Sequence, residues 1–322
     1  MNVKIQMDDF FKKLRFVHKP TKEKPWLELE YGDAESLDKF VNFINTMNNI
    51  IRLNPYNHPF LFRGQSDAKW SLMPKIVRLF KKFPKITIED ALRIEFDSFQ
   101  FFRQQAHIYL KPEIIPNSDV LSENVEWISL MQHYSAPTRM LDWSTSFNVA
   151  LYFAVTDEPL EQNGAMWLFQ KEPVETWMEN KYPYPQEVQQ EEYRKKVLTN
   201  CREYINFGKN HALPKIVIFD KQRKFERIVS QGSIFTYSDQ LFVDHALLIG
   251  NALFDNLQNG TLPKNILLTK ILISPEAKKY FRRHLSKLNI TASSLFPGID
   301  GIGRAISEIT RVECETFLKS QI

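Results

Sequence analysis

The segment SFNVALYFAV, residues 146–155, constrains the fold of this chain more than any other. It is apolar all round, and a helix without a polar face has to be enclosed by other elements. A chain built around it needs apolar surface to spare. The 43% hydrophobic share, with 25 Phe and 11 Tyr among 322 residues, supplies it. That length suits one large domain or two ordinary ones. Ten glycines and the lack of an internal period argue against a repeat or loop-dominated architecture.

Polar groups crowd the residues just before this segment: Gln132, His133, Tyr134, Thr138, Arg139, Asp142, Ser144, Thr145 and Ser146. Next to an apolar helix they have to be satisfied internally, because each one buried without a partner costs about 1–3 kcal/mol. In one reading they cap the helix, with Ser144, Thr145 or Ser146 as N-cap and Asp142 at its positive end. In the other they floor a pocket, since a helix N-terminus beside arginines suits a phosphate. The two readings are compatible.

Apolar spacings of three and four predict helices over 35–52 and 87–109, the second signalled by Thr87 and Glu89-Asp90. Between them, NPYNHP is turn chemistry, and Phe60-Leu61-Phe62 reads as a short buried strand that Arg63-Gly64 ends. Another helix is expected over 123–134, then Pro137 and a short mixed stretch over 138–143. Strand-like runs follow at 165–169, 215–219, 227–237 and 267–274. The polar stretch 170–210 reads as a surface insertion with a partial helix, and helical signals return at 276–288 and 303–318. Helices first and mostly strands later favour an α+β fold, a helical N-terminal half packed on a mainly antiparallel sheet. The corresponding division is an extension over 1–34, a core over 35–158, and a strand-rich part over 159–322 that completes the same fold.

The net charge of +4, from 42 Lys and Arg against 38 Asp and Glu, permits contact with nucleic acid without requiring it. Positive charge gathers at Lys75, Arg78, Lys81, Lys82 and Lys85, and again at Lys278, Lys279, Arg282, Arg283 and Lys287. Each cluster reads as a solvated helix face, with a phosphate-binding stripe as the alternative. Cys201 and Cys314 stand far apart and in no metal-ligand spacing, so no disulfide framework or metal site is expected, and a reducing, cytoplasmic compartment fits. The first residues lack a signal peptide's apolar stretch, and no run approaches the roughly 18 apolar residues of a membrane span, so no membrane is expected.

Arg63 follows an apolar strand and precedes a glycine, a placement that suits an anion because the guanidinium fork matches phosphate. A structural ion pair is the alternative. His133 is either a general acid or base or a satisfied structural histidine. In the run at 227–237, Gln231-Gly232 marks a bulge or a close approach of ligand, with Glu226 just upstream, and packing accounts for it equally well.

Phe62-Arg63-Gly64-Gln65 opens a series of matches to a known pattern. It continues through Trp70-Ser71-Leu72 with Pro74 and Arg78, then Met131-Gln132-His133-Tyr134, then Pro137 to Trp143, and Ala150-Leu151-Tyr152-Phe153-Ala154. Gln231 to Phe235 and Leu295-Phe296-Pro297-Gly298 extend it, so that about residues 36–306 resemble the FRG-domain family. Ser135 stands where that family usually has glycine. More distantly, the chain is similar to ADP-ribosyltransferases, in which an arginine at the end of the first strand binds the NAD phosphates and a Ser-Thr-Ser motif supports the nicotinamide side. The resemblance implies Arg63, Gly64, Gln65, Arg139, Ser144, Thr145 and Ser146 as cofactor-binding residues and His133, Asp142, Glu226 and Gln231 as candidate catalytic ones. Gln231 falls where such enzymes carry their catalytic glutamate. A glutamine cannot hold negative charge against an oxocarbenium ion, so Glu226 or Asp142 would have to supply it.

The implied function is an NAD-using, ADP-ribosyltransferase-like or NAD-cleaving enzyme. It would act on a macromolecule, nucleic acid or protein, in a toxin or phage-defence setting, with NAD as substrate and no metal. The alternatives are a nucleotide or nucleic-acid sensor without catalysis, a metal-independent nuclease using His133 with Asp142, and a scaffold or antitoxin-like partner. The discriminating geometry is whether Arg63, His133, Asp142 and Gln231 line one cleft.

Overall fold

The computed structural model of this protein describes residues 15–31, 60–112, 114–116, 123–181, 216–219, 226–238, 240–258 and 267–320. The helix expected over 35–52, Cys201 and residues 182–210 of the expected insertion lie outside the described residues. In chain order the elements are β1 (Arg15–His18), β2 (Leu27–Tyr31), β3 (Phe60–Gln65), α1 (Lys75–Phe80), α2 (Ile88–Tyr109), α3 (Glu123–His133), β4 (Met140–Ser144) and α4 (Phe147–Val155). They continue as β5 (Gly164–Gln170), α5 (Lys171–Lys181), β6 (Ile216–Phe219), α6 (Glu226–Gln231), β7 (Ser233–Ser238), α7 (His245–Gln258), β8 (Thr269–Ile273), α8 (Pro275–Lys287), α9 (Ala292–Leu295) and α10 (Ile299–Ser320).

The strands form one sheet in the order β1-β2-β8-β5-β3-β4-β7-β6. Only β2 and β8 run parallel; the other neighbours are antiparallel. This is the mainly antiparallel sheet of the expected α+β fold. Strands from both sides of residue 158 interleave in it, and β3 pairs with β5 from Phe60↔Gln170 to Gln65↔Ala165.

Alternation along β3 sends Phe60, Phe62 and Gly64 to one face and Leu61, Arg63 and Gln65 to the other. On the first face lies α4, with Phe62 edge-on to Phe147 at 5.8 Å, joined by α8 through Ala277, Phe281 and Leu285. On the second, Leu61, Trp143, Trp167 and Phe169 meet Ile249, Ala252 and Leu253 of α7, and Val174 of α5. The sheet is thus covered on both sides. The apolar α4 has seven buried residues, as its sequence requires, and fully burying each large one contributes about 1.5–3 kcal/mol. Its N-cap is Ser146, whose Oγ accepts from Val149 N at 3.4 Å. Thr87 caps α2 in the same way, accepting from Asp90 N at 3.1 Å.

Three local readings change. Arg63 and Gly64 lie inside β3 rather than after it. The mixed stretch 138–143 contributes β4, a central strand held by five partners on β7 from Met140↔Tyr237 to Ser144↔Ser233. The run at 227–237 is divided: α6 ends at Gln231, Gly232 turns the chain with φ +55°, and β7 begins at Ser233. A Cβ on Gly232 would stand 2.7 Å from Thr145 Oγ1, so the turn also needs the missing side chain. The second basic cluster is only partly solvated. Lys278 and Arg282 are buried because they serve carbonyls around the exit of α4: Lys278 Nζ donates to Ser66 O (2.6 Å) and Pro159 O (2.8 Å), and Arg282 Nη1 to Val155 O (3.1 Å). Burial, reinforced by the charge on Arg282, pushes the Lys278 ammonium down to about 8.

Candidate functional site

The sheet has a split at its centre. β3 and β4 are in register at a single pair, Phe62↔Ser144, and diverge beyond it. Across the gap the Arg63 side chain takes the place of a ladder bond, with Nη1 donating to the Asp142 carbonyl at 2.5 Å. A cleft of about 220 Å³ opens there, lined among others by Arg63, Trp70, Arg78, Asp142, Asp157 and Gln231.

Arg63 is the electrostatic centre of the cleft. Burial pulls its guanidinium down to about 10; Asp142 opposes that shift and the charge of Arg78 adds to it. At neutral pH it is still a cation. Its Nε is buried without a hydrogen-bond partner among the described residues, an arrangement that costs about 1–3 kcal/mol unless a ligand or water supplies an acceptor. Arg78 donates from Nη1 to Met73 O at 2.6 Å, and partial burial lowers its pKa as well. The Asp142 carboxylate is held from the other side: Gln132 Nε2 donates to its Oδ2 at 2.7 Å, and Thr138 Oγ1 donates to Gln132 Oε1 at 2.5 Å. Asp157 stands at the rim with its pKa raised, chiefly by desolvation and against the pull of Arg304 and Arg311.

Ser144, Thr145 and Ser146 stitch two turns together. Ser144 Oγ donates to Gln231 O at 2.6 Å and accepts from Ser146 N at 2.9 Å, while Thr145 N donates to Gly232 O at 3.0 Å. Capping and pocket floor therefore coexist. Ser146 is the cap, and Ser144 with Gln231 borders the cleft. Gln231 donates its amide to Leu295 O at 3.0 Å.

The remaining sequence-derived candidates are placed less directly. Gly64 lines the cleft, but its missing side chain serves packing: a Cβ there would lie 1.9 Å from Ala150 O. Both ends of the Gln65 amide are engaged, Nε2 with Ser71 O (3.1 Å) and Oε1 with Trp167 Nε1 (2.8 Å). Arg139 is not a cleft residue. It is buried and paired with Glu95 of α2, Nε lying 2.7 and 2.8 Å from the two carboxylate oxygens and Nη2 joining Oε2. His133 ends α3, stacked edge-on against Tyr134 at 4.9 Å, and is not among the residues lining the cleft that holds Asp142. Glu226 begins α6, and its side chain lies outside the described residues.

One residue beside the site gave no sequence signal. His245, the first residue of α7, is fully buried with Nδ1 2.9 Å from Thr236 Oγ1, which itself accepts from Trp143 Nε1 at 2.9 Å. Its Nε2 has no partner among the described residues. Burial, with the nearby Arg63 charge, pushes its pKa down to about 3, so it is neutral.

An α+β protein with an arginine-bridged split at the centre of its sheet is the class that fold and site define. Within it, the family model of the FRG domain matches residues 58–163, from the residues before β3 through α4 to the threshold of β5, so an FRG domain is present there. Arg63, Trp70, Arg78, Asp142 and Asp157 fall inside that match; Gln231 falls outside it. No curated protein and no solved structure matches the chain. No helix among the described residues is long and apolar enough to cross a membrane.

Proposed function

We propose that the cleft binds a phosphate-bearing nucleotide, with Arg63 and Arg78 on the phosphates and Trp70 against a ring. The observation that carries this reading is the convergence of two arginines on one cleft whose rim holds a tryptophan left 45% exposed. Arg63 already commits Nη1 to the sheet, and its unpartnered Nε is a donor left for an anion. At about 220 Å³ the cleft is smaller than the ~300–1,000 Å³ usual for ligand sites. It would enclose part of a dinucleotide and leave the rest across the rim.

The test is calorimetric titration with ADP, NAD and, as the uncharged counterpart, adenosine. ADP and NAD should bind at least about tenfold more tightly than adenosine, and Arg78→Ala should weaken both by about tenfold, as befits one charge-assisted contact. Equal affinity for adenosine and ADP would overturn the reading.

A second reading makes the protein an NAD-cleaving or ADP-ribosyl-transferring enzyme, and one observation favours it: Asp142 lines the same cleft as Arg63, and its negative charge is felt by the Arg63 guanidinium. That carboxylate would oppose the positive charge developing as the nicotinamide bond breaks. Nicotinamide release from NAD, abolished in Asp142→Asn while NAD binding persists, is the expected result. NAD binding with no release, in the presence of nucleic-acid or protein acceptors, would leave a binding module.

A further inference from the structure

Between Ala68 and Ile88 the chain carries Lys69, Lys75, Arg78, Lys81, Lys82 and Lys85 and not one carboxylate. Six cations in so short a stretch outweigh the +4 of the whole chain. All six side chains are exposed, and none forms an ion pair among the described residues. Lys75 donates to Ser135 O at 2.5 Å, and Lys81 acts only at a distance on the largely buried Asp244. Two further side chains in this stretch are large exposed aromatics, Trp70 at 45% and Phe83 at 55%. The segment is nonetheless well anchored. Ile76, Val77 and Phe80 of α1 are buried against Ala91 and Leu92 of α2 and against Leu241, so the charges are held on a fixed ledge.

The ledge is continuous with the cleft. Trp70 and Arg78 belong to both, since they line the cleft and lie within the basic stretch. A solvated helix face needs no aromatic residues interleaved with its lysines and no link to a pocket, whereas a strand of nucleic acid uses both features. Building on the nucleotide reading of the cleft, we infer that the natural ligand is a single-stranded nucleic acid. One of its nucleotides enters the cleft with its base against Trp70, a neighbouring base stacks on Phe83, and its phosphates track Lys75, Lys81, Lys82 and Lys85. A duplex fits less well, because bases paired in a helix cannot stack on the two aromatic rings.

The experiment is fluorescence anisotropy of the full chain with labelled oligothymidylate and oligouridylate of about 15 nucleotides, a length within the usual range of single-strand sites. It is run from about 50 to about 200 mM KCl beside calorimetry with ADP. The oligonucleotides should bind at least about tenfold more tightly than ADP at the lower salt, with affinity falling steeply as salt rises. In the triple variant Lys81→Gln/Lys82→Gln/Lys85→Gln, the log-log salt slope should shrink by about 2 and ADP affinity should not change, since these lysines lie outside the cleft. Trp70→Ala should cost oligonucleotide binding about fivefold or more. The inference is overturned if oligonucleotides bind no more tightly than ADP, if the triple variant keeps the wild-type slope, if a duplex binds more tightly than either single strand, or if polyglutamate competes as well as the oligonucleotide. The last outcome would indicate an acidic protein partner. Lysine-dependent oligonucleotide binding without any ADP binding would sustain the strand path and refute the cleft reading alone.

Discussion

Replacing Gly64 by alanine tests the architecture of the site more sharply than any charge change. The new Cβ would lie 1.9 Å from Ala150 O, 2.5 Å from Ala154 N and 2.9 Å from Phe153 C, all backbone atoms of α4. Ordinary contact begins near 3.4 Å, so strand and helix would have to part by about 1.5 Å. No flexible side-chain end is available to give way. Overpacking of this kind costs about 1–3 kcal/mol and more where backbone must move, and the separation also loosens the Phe62–Phe147 contact, worth about 1 kcal/mol. The expected loss is therefore about 3–5 kcal/mol, a large share of the 5–15 kcal/mol typical of whole proteins. Equilibrium urea unfolding followed by tryptophan fluorescence would measure it. Gly303→Ala is the matched control: it lies within α10 with nothing inside 4 Å of its Cβ position, and it should gain about 0.5–1 kcal/mol from helix propensity. A Gly64→Ala protein within about 1 kcal/mol of wild type would refute the close approach of β3 to α4, and with it the placement of the cleft wall.

Breaking the buried Arg139–Glu95 pair with Arg139→Met should cost about 3–5 kcal/mol in the same unfolding assay, while ADP affinity of the folded fraction stays at the wild-type value; a lost affinity would return Arg139 to the site. His245 has a folded-state pKa below its unfolded value, so the unfolded chain binds the extra proton, and stability contributed by neutral His245 is lost as pH falls from about 6.5 toward about 3. The difference between wild type and His245→Phe should therefore vary by up to about 1.4 kcal/mol per pH unit in that window, and a pH-independent difference would contradict the buried neutral imidazole. Ser135 adopts φ +63°, the left-handed region where L side chains are strained, so Ser135→Gly should raise stability by about 1 kcal/mol in thermal or urea unfolding.

What the sequence revealed depended on how local the cause was. The limits of α2 and α4 follow from Thr87 and Ser146, caps whose partners lie three residues away, and the burial of α4 follows from its own composition. The division of 227–237 was hidden because the whole run, Ile228 and Val229 included, has the β-branched and aromatic content of a strand. The helical state of RIVSQ is fixed by a turn at Gly232 and by bonds from Ser144 and Thr145, residues 87 positions earlier in the chain. The strand at Met140–Ser144 was hidden for the same kind of reason, since its mixed sequence becomes a strand through pairing with β7. At Ser135 the departure from glycine was visible, and the left-handed backbone there, φ +63°, was not. Arg63, Asp142 and Gln231 were each visible as candidates, and the sheet split brings them to one cleft. The burial of Arg139 and the neutral His245 were not legible, because both depend on partners, Glu95 and Thr236, that the sequence does not connect to them.

In the proposed function Arg63 carries two tasks that a single substitution can separate. Its Nη1 bridges β3 to the Asp142 carbonyl where the ladder fails, and the rest of the fork would hold the ligand's phosphate. A lysine keeps the charge and one donor direction but not the planar fork. If it bonds the Asp142 carbonyl it repairs the sheet and leaves the ligand with a single distant charge; if it turns to the ligand it leaves the split unbridged. Either way the two functions can no longer be met together. Arg63→Lys should therefore stay within about 2 kcal/mol of wild-type stability by keeping one hydrogen bond, yet bind ADP about tenfold or more weakly. Undiminished ADP affinity in that variant would mean that Arg63 closes the sheet and nothing more, and the phosphate-binding role would pass to Arg78.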